Sequence, residues 1–490
     1  MFSQFDSDTI FNSVLIFAWL TFLWETYLSV RQRHVAKTSE KAPEVLKGVM
    51  DQETFDKARS YHLDKSSFGL FSSVFHQFES TFILLFGGFP FLWNLGKSIL
   101  ISLNMPQGEI MQSMAFIVLG IIYSTFSSLP WSLYSTFVIE EKHGFNKQTL
   151  GFFIKDHLKQ LAVVVVISLP VTAALIYIVH VGGDYFFIYA WLFTFTVSLL
   201  LVTVYADYIA PLFDKFTPLP EGELRTRIEE LALSINFPLK KLFVVEGSKR
   251  SSHSNAYFYG FFNNKRIVLF DTLLEDYAPA NKEEEKEDKT KAEESNSGDQ
   301  ENDTQRTDDN KTEGAEETDQ AKSQEDSAEK KKKKVGCNNE EVLAVLCHEL
   351  GHWYHSHVLK QLIISQINMF LCFGIFAVLM KEKVLFAAFG FDVQPTMIGL
   401  IIIFQFILAP YNEVLSFVLT YMTRKCEFQA DAFAAGMGWS DTLRSALIKL
   451  NEDNLSFPLS DWLYSAWHFS HPPLLDRLRA LHDQPDKKTQ

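Results

Sequence analysis

Two short runs hold the residue types and spacings best able to do chemistry in this chain. One is His348-Glu349-Leu350-Gly351-His352. The other, about 75 residues further on, is Glu427-Phe428-Gln429-Ala430-Asp431. Residues four apart on a helix share a face, so His348 and His352 are placed to grip one metal ion. Glu427 supplies a third ligand. Two histidines and a glutamate leave the fourth position of a tetrahedral Zn2+ open for water, as a catalytic site requires. Glu349 then stands where a general base would activate that water. Asp431, one helical turn after Glu427, is the candidate to accept the second N–H of a ligating imidazole and fix its tautomer. The chemistry is zinc-dependent hydrolysis, with a peptide bond as the expected target. A fourth protein ligand would instead mark structural zinc in a non-enzymatic membrane scaffold, but only three ligands are evident.

Other polar residues have weaker claims. His355 and His357 read as extra histidines at a helix end rather than spare ligands, because the pair four apart already fixes the ion. His471, in Ser470-His471-Pro472-Pro473, suits either an oxyanion donor or a cap on the helix that follows. Asn255-Ala256 opens a strand. At a sheet edge that strand would pair with an extended peptide; otherwise it is an ordinary amphipathic strand. The four cysteines, Cys337, Cys347, Cys372 and Cys426, form no C-x-x-C pair, and neither thiolate zinc nor a disulfide framework is implied.

The elements that must position these residues are mostly apolar helices. Mean hydropathy is near zero, but it averages long apolar segments with very polar ones. Seven spans are expected, near 9–30, 78–103, 111–137, 158–180, 185–209, 361–386 and 396–422. The second is interrupted by Gly87-Gly88 and Pro90, the third by Pro130 and the fourth by Pro170. The soluble part lies between spans five and six. It should hold a helix over 221–235, strands over 242–246, 255–259 and 266–270, and the metal-motif helix opening at Asn339. Between them, residues 280–336 form a charged, nearly apolar-free tract expected to be a disordered insertion. Roughly 19 acids against 12 Lys/Arg there account for half of the chain's net charge of -14. No basic, aromatic-laced surface is visible, so nucleic-acid binding is not expected.

Lys and Arg are dense in the loops after spans one and three and sparse in the loops after two, four and six. The positive-inside rule then sets the N-terminus lumenal and the C-terminus cytosolic. Lys487-Lys488-Thr489-Gln490 fits a dilysine retrieval address for the endoplasmic reticulum, or a plain polar tail. The sequons at Asn302, Asn310 and Asn454 fall on the cytosolic side and should carry no glycan.

Taken together, Glu140-Glu141-Lys142-His143-Gly144-Phe145-Asn146, Pro211-Leu212-Phe213-Asp214-Lys215-Phe216, His253 to Gly260, the metal motif, Phe428 to Asp431 and Ser470 to Pro473 are far more specific than H-E-x-x-H alone. Across nearly its whole length the chain resembles the CAAX prenyl proteases of the Ste24 type, integral-membrane zinc metalloproteases. The resemblance implies a mainly α polytopic membrane protein, about seven helices enclosing a water-filled chamber, with a cytosolic α+β zinc-protease domain. It implies zinc on His348, His352 and Glu427, Glu349 as general base, and roles near the substrate for Asn255, His471 and Arg477; Ala256 is expected to join Asn255 through the edge strand. The implied partners are the bilayer and a farnesylated protein losing its last three residues, with a second upstream cut in some family members. The implied location is the endoplasmic reticulum membrane, extending to the inner nuclear membrane. A quality-control protease acting on unprenylated membrane proteins would use the same site. The division of the chain is expected as 1–209 (five spans), 210–279 (first protease segment), 280–336 (insertion), 337–360 (metal-motif helix), 361–423 (spans six and seven) and 424–490 (last protease segment and tail).

Overall fold

The computed structural model describes residues 6–46, 50–260, 265–275, 277 and 335–483. The sequons at Asn302 and Asn310, the dilysine tail and nearly all of the charged tract lie outside the described residues. The tract's last two positions, Val335 and Gly336, do not. Gly336 belongs to the folded part, its amide donating to Asp453 Oδ2 at 2.9 Å.

Helices dominate, and polar residues set their starts. Asp6 caps α1 (Ser7–Thr38) by accepting from the Thr9 amide, and Asp51 does the same for α2 (Gln52–Leu85) through Thr54. The Gly87-Gly88 break bends α2 against α3 (Gly88–Ser102) by 66°. Gly87 there takes a left-handed φ of 66°, which favours glycine. The next helix, α4 (Glu109–Tyr134), runs through Pro130 into a wider turn over Ser135–Glu140. Then come α5 (Leu150–Val181) and α6 (Phe186–Val204). In the last of these spans only 6% of the apolar window is buried by the protein itself.

Five helices are long and apolar enough to cross a membrane straight, and seven spans result if each of two bent pairs counts as one. The expected second and seventh spans are those bent pairs. Span two begins as α2 at Gln52, well before the expected residue 78. Span six is shorter than expected, ending at Leu379 with a separate short helix, Lys383–Ala388, after it. A cavity of about 900 Å³ opens between α3, α4, α5 and the 397–405 stretch, with Ser124, Ser128, His157, Gln160 and Gln405 placing polar groups among apolar walls.

The soluble part is built on a four-stranded sheet of order β1 (Phe216–Pro218), β2 (Leu239–Val245), β4 (Lys265–Phe270), β3 (Ala256–Tyr259). β2 and β4 run parallel, and β3 pairs antiparallel with β4 at the sheet edge. The sheet packs with α7 (Glu223–Ser234) on α8 (Asn339–Tyr354), the helix of the metal motif. Val342, Leu343, Leu346 and Leu350 of α8 are buried against Ile228, Leu242, Val244 and Leu269. Asn338 and Glu341 start α8 with a reciprocal capping box, and the helix itself opens at Asn339 as expected. The short strand β1 is an addition to the sequence-based expectation.

Downstream lie α9 (His357–Leu379), α10 (Lys383–Ala388), α11 (Thr396–Ile401), α12 (Ala409–Gly436), α13 (Ser440–Asp453), α14 (Trp462–His468) and α15 (Leu474–His482). Ionic contacts fasten the soluble part to the spans. Arg250 pairs with Asp156 of α5 at 2.5 Å and with Asp214 at 2.6 Å. Arg31 of α1 grips Asp461 at 2.8 Å.

α8 and α12 touch closely at Gly351. A Cβ there would lie 3.1 Å from Ala430 Cα and 3.2 Å from its carbonyl oxygen, against backbone that cannot rotate away. Gly351→Leu should therefore force the two helices apart, costing about 1–3 kcal/mol or more. Thermal unfolding and bound-metal content should both fall. Gly436→Ala, at a helical glycine with nothing within 4 Å, should change neither.

Candidate metal centre

α8 brings His348 and His352 onto one face, and α12 presents Glu427 to them from the opposite side. The Nε2 atoms of the two histidines are 3.3 Å apart. Glu427 reaches His348 Nε2 with Oε2 at 3.4 Å and His352 Nε2 with Oε1 at 3.3 Å. One ligand atom from each residue lies within 4.8 Å of the others, and no further Cys, Asp, Glu or His joins this group among the described residues. Cys347 and Cys426 are free thiols outside it.

Each imidazole is oriented from behind. Asp431 Oδ1 stands 2.8 Å from His348 Nδ1, so that nitrogen carries a proton and Nε2 is the one turned to the centre. Arg477 of α15 forks onto both Asp431 oxygens at 2.6 and 2.9 Å. Arg477 and Asp431 are buried, and such a pair is tolerated only because each satisfies the other. Burial works to lower the His348 imidazole, but Asp431 and Glu427 outweigh it and push its pKa up to about 9. Burial likewise works against the Arg477 charge, and Asp431 more than restores it.

His352 is backed differently. α8 ends at Tyr354, and Ser356 adopts a left-handed φ of 56°. That turn swings His357 back beneath the motif, its Nδ1 3.0 Å from His352 Nδ1. His357 Nε2 lies 2.9 Å from Gln429 Oε1. Because Gln429 Oε1 only accepts, His357 donates from Nε2 and accepts at Nδ1. The His352 proton then sits on Nδ1, and its Nε2 points a lone pair at the centre.

With its pKa at about 9, the metal-free His348 also holds a proton on Nε2, facing Glu427, and a metal ion binds there by displacing it. Glu427 Oε2 is buried and has no hydrogen-bond partner. Two imidazoles presenting Nε2 and a carboxylate with one orphaned oxygen are the donor set that a small divalent metal ion completes, so the residues fit such an ion.

Around this centre, Glu349 is half-buried beside His348, and desolvation raises its carboxyl above the ordinary range. His471 is exposed on its loop, with Nε2 3.4 Å from Glu427 Oε1. Asn255 is exposed at the start of β3, and its side chain accepts from the Ala256 amide at 2.8 Å. Ala256 is buried. Arg477 lies behind His348 with its guanidinium taken by Asp431, not on a face open to a passing peptide.

Comparison with known proteins decides the family. Residues 31–215 match the family model described as the CAAX prenyl protease N-terminal region with five membrane helices, and residues 218–484 match peptidase family M48. The CAAX prenyl protease 1 homolog of Mus musculus is 59% identical over 96% of this chain and 95% of its own. CAAX prenyl protease 1 of Saccharomyces cerevisiae is 35% identical over 95% and 94%. The crystal structure of S. mikatae Ste24p superposes with a TM-score of 0.76 at 34% identity, covering 96% of this chain and 97% of that one. The chain belongs to the CAAX prenyl protease group of family M48. It is a multi-pass membrane metalloprotease.

In this M48 protease two site residues escaped the sequence reading: His357, set aside as a histidine at a helix end, and Gln429. Nothing in the spacing announces a left-handed serine. The available signal was Gln429 itself, a polar residue between the ligand Glu427 and Asp431 on the same helix.

Asp431→Asn should weaken metal affinity about 10–100-fold, because the amide no longer holds the His348 proton on Nδ1. A competition titration with a chromogenic chelator on the purified membrane protein checks this.

Proposed function

We propose that this chain removes the last three residues from prenylated proteins ending in a CAAX sequence. The observation that carries the proposal is a three-ligand centre with both imidazoles oriented from behind, packed beside the free edge of β3 in a chain of this family. The metal is read as one Zn2+ held by His348, His352 and Glu427. Bound there, it would act as a Lewis acid toward a water and the scissile carbonyl. The protein's own residues divide the rest. Glu349, with its raised pKa, takes a proton from the attacking water and returns it to the leaving amine. His471 donates to the oxygen that gains charge. β3, opened by Asn255 and Ala256, lays the substrate backbone alongside α8. Arg477 and Asp431 act through His348, so Arg477 is read as a positioning residue rather than a substrate ligand.

The farnesylated client meets the enzyme at the membrane, and the reading includes a lumenal N-terminus and a cytosolic C-terminus in the endoplasmic reticulum and inner nuclear membranes. Protease segments from about residue 210 onward then face the cytosol. Asn454 bears on this orientation. Its Oδ1 is 3.2 Å from His253 Nδ1 and accepts the Ser254 amide at 3.0 Å, which ties up the side chain of that sequon. Glycosidase treatment should leave the electrophoretic mobility of cell-expressed protein unchanged, and a shift would reverse the orientation.

The deciding assay uses detergent-solubilised protein with a farnesylated CAAX peptide and its unprenylated twin, with and without chelator. Loss of three residues from the farnesylated peptide alone, abolished by chelation, is expected. Equal cleavage of both peptides would move the assignment to a quality-control protease. Glu349→Gln should retain metal and lose about 10²–10⁴-fold in turnover.

A further inference from the structure

A second cavity, of about 780 Å³, lies between α1, α2 and the 454–469 segment. It shares Ser456, Phe457 and Phe469 with an adjoining hollow of about 380 Å³ that His471 lines. The hollow beside the metal centre therefore borders this cavity. His253 and Asn454 form the wall nearest β3, just before Asn255.

Strand polarity gives the cavity a meaning. A peptide added to the edge of β3 pairs better antiparallel, the more stable arrangement per residue. It then runs from the Tyr259 end toward Ala256. Residues after the scissile bond leave past Asn255, Ser254 and His253, toward the cavity. Three extended residues reach about 10 Å, so the chain terminus of a tripeptide leaving group ends there.

The cavity offers that terminus one cation beside one acid that is already engaged. Glu25 is occupied by Trp467 Nε1 at 2.9 Å and His468 Nε2 at 3.1 Å. The His62 ring stacks on Phe457 and the His253 ring on Phe145. Lys65 is the one Lys or Arg among the described lining residues. Its Nζ donates to Tyr61 Oη at 3.2 Å and stands 3.6 Å from Glu140 Oε1. Glu140 is engaged in turn, both of its oxygens accepting the Tyr61 hydroxyl, at 2.7 and 2.8 Å. An ammonium has three donors, and Lys65, half-exposed to the cavity, keeps capacity for an incoming carboxylate.

We propose that Lys65 binds the free C-terminal carboxylate of the substrate and so helps to set the length of the tripeptide removed. This rests on the CAAX reading and adds a specificity-determining residue to it. The test compares two farnesylated peptides of one sequence, one ending in a free carboxylate and one in a carboxamide, by kcat/KM in wild type, Lys65→Gln and Lys65→Arg. The ratio of acid to amide does not depend on how much of each preparation is folded. Wild type should prefer the acid by about 10–100-fold, as expected for a hydrogen bond to a charged group. Lys65→Gln should bring the ratio close to one, and Lys65→Arg should keep most of it. Equal cleavage of acid and amide by wild type, or discrimination retained in Lys65→Gln, would overturn the carboxylate site while leaving the CAAX reading intact. Failure of wild type to cleave either peptide would sink the CAAX reading, and this site with it.

Discussion

The structure depends on one contact between helices far apart in sequence. α8 and α12 meet where Gly351 lies flush on Ala430, an approach that a Cβ would crowd to 3.1 Å from Ala430 Cα. Their closeness lets Glu427 face both motif histidines at once. The contact is pinned by charge as well as by shape. Asp431, on α12, holds His348 of α8 while Arg477 of α15 holds Asp431. None of these three buried groups would be stable alone, because removing a charge from water costs several kcal/mol unless a partner replaces the solvent. The triad is therefore cooperative: each member lowers the cost of burying the next. At the centre itself, a metal ion takes the place of the proton between His348 Nε2 and Glu427.

The spans act on the site as supports. The chain leaves α8 through the left-handed Ser356 and enters the membrane directly as α9, with His357 as that helix's first residue. It returns through the bent pair ending in α12, and the same helix that comes from the bilayer carries Glu427, Gln429 and Asp431. Two spans thus bracket the centre and deliver its two halves. A small soluble domain would have to fix α8 and α12 by core packing alone. Here the apolar cluster around Phe373, Phe376, Phe386 and Ile403 holds α9 and the stretch leading into α12, and the protease-domain core holds α8 and the far end of α12. Arg250 and Arg31 tie the other spans to the same body through carboxylates that are only partly solvated.

Much of this was legible in the sequence because the relevant signals are local. Ligand spacing is a helical period, and the metal helix opens at Asn339 as expected. Gly87-Gly88-Pro90 marks the break in the second span. The backing of His348 by Asp431 followed from a one-turn interval. Other features are set by contacts that no local pattern encodes. β1 has three residues, too few for alternation to register. The role of His357 depends on a positive φ at a serine, a conformation that costs energy and is held by its surroundings. The placement of Arg477 behind the histidine depends on α15 docking against α12, a tertiary fact absent from the run Asp476-Arg477-Leu478-Arg479. The bend of 60° before α12 likewise follows a wide turn over Ile402–Ile407 that apolar composition does not announce.

The charged tract between β4 and α8 would seem to threaten the catalytic helix that follows it. The chain on either side of it shows why it does not. Cys337 donates to the Leu273 carbonyl at 2.7 Å, and the Glu275 amide donates back to Cys337 at 3.1 Å. Gly336, at a φ of 91°, lets the returning backbone pass against Leu274 and Glu275, where a Cβ would come within about 3.0 Å of their backbone atoms. The tract thus leaves and returns at adjacent points, held by paired backbone hydrogen bonds one residue before the Asn338 cap. Closing a loop costs only about 0.6 kcal/mol more for each doubling of its length. With its ends fixed there, tract length and composition have almost no leverage on α8. Mechanical insulation, rather than anything in the tract's own sequence, is what permits so large and acidic a segment immediately upstream of a metal-binding helix.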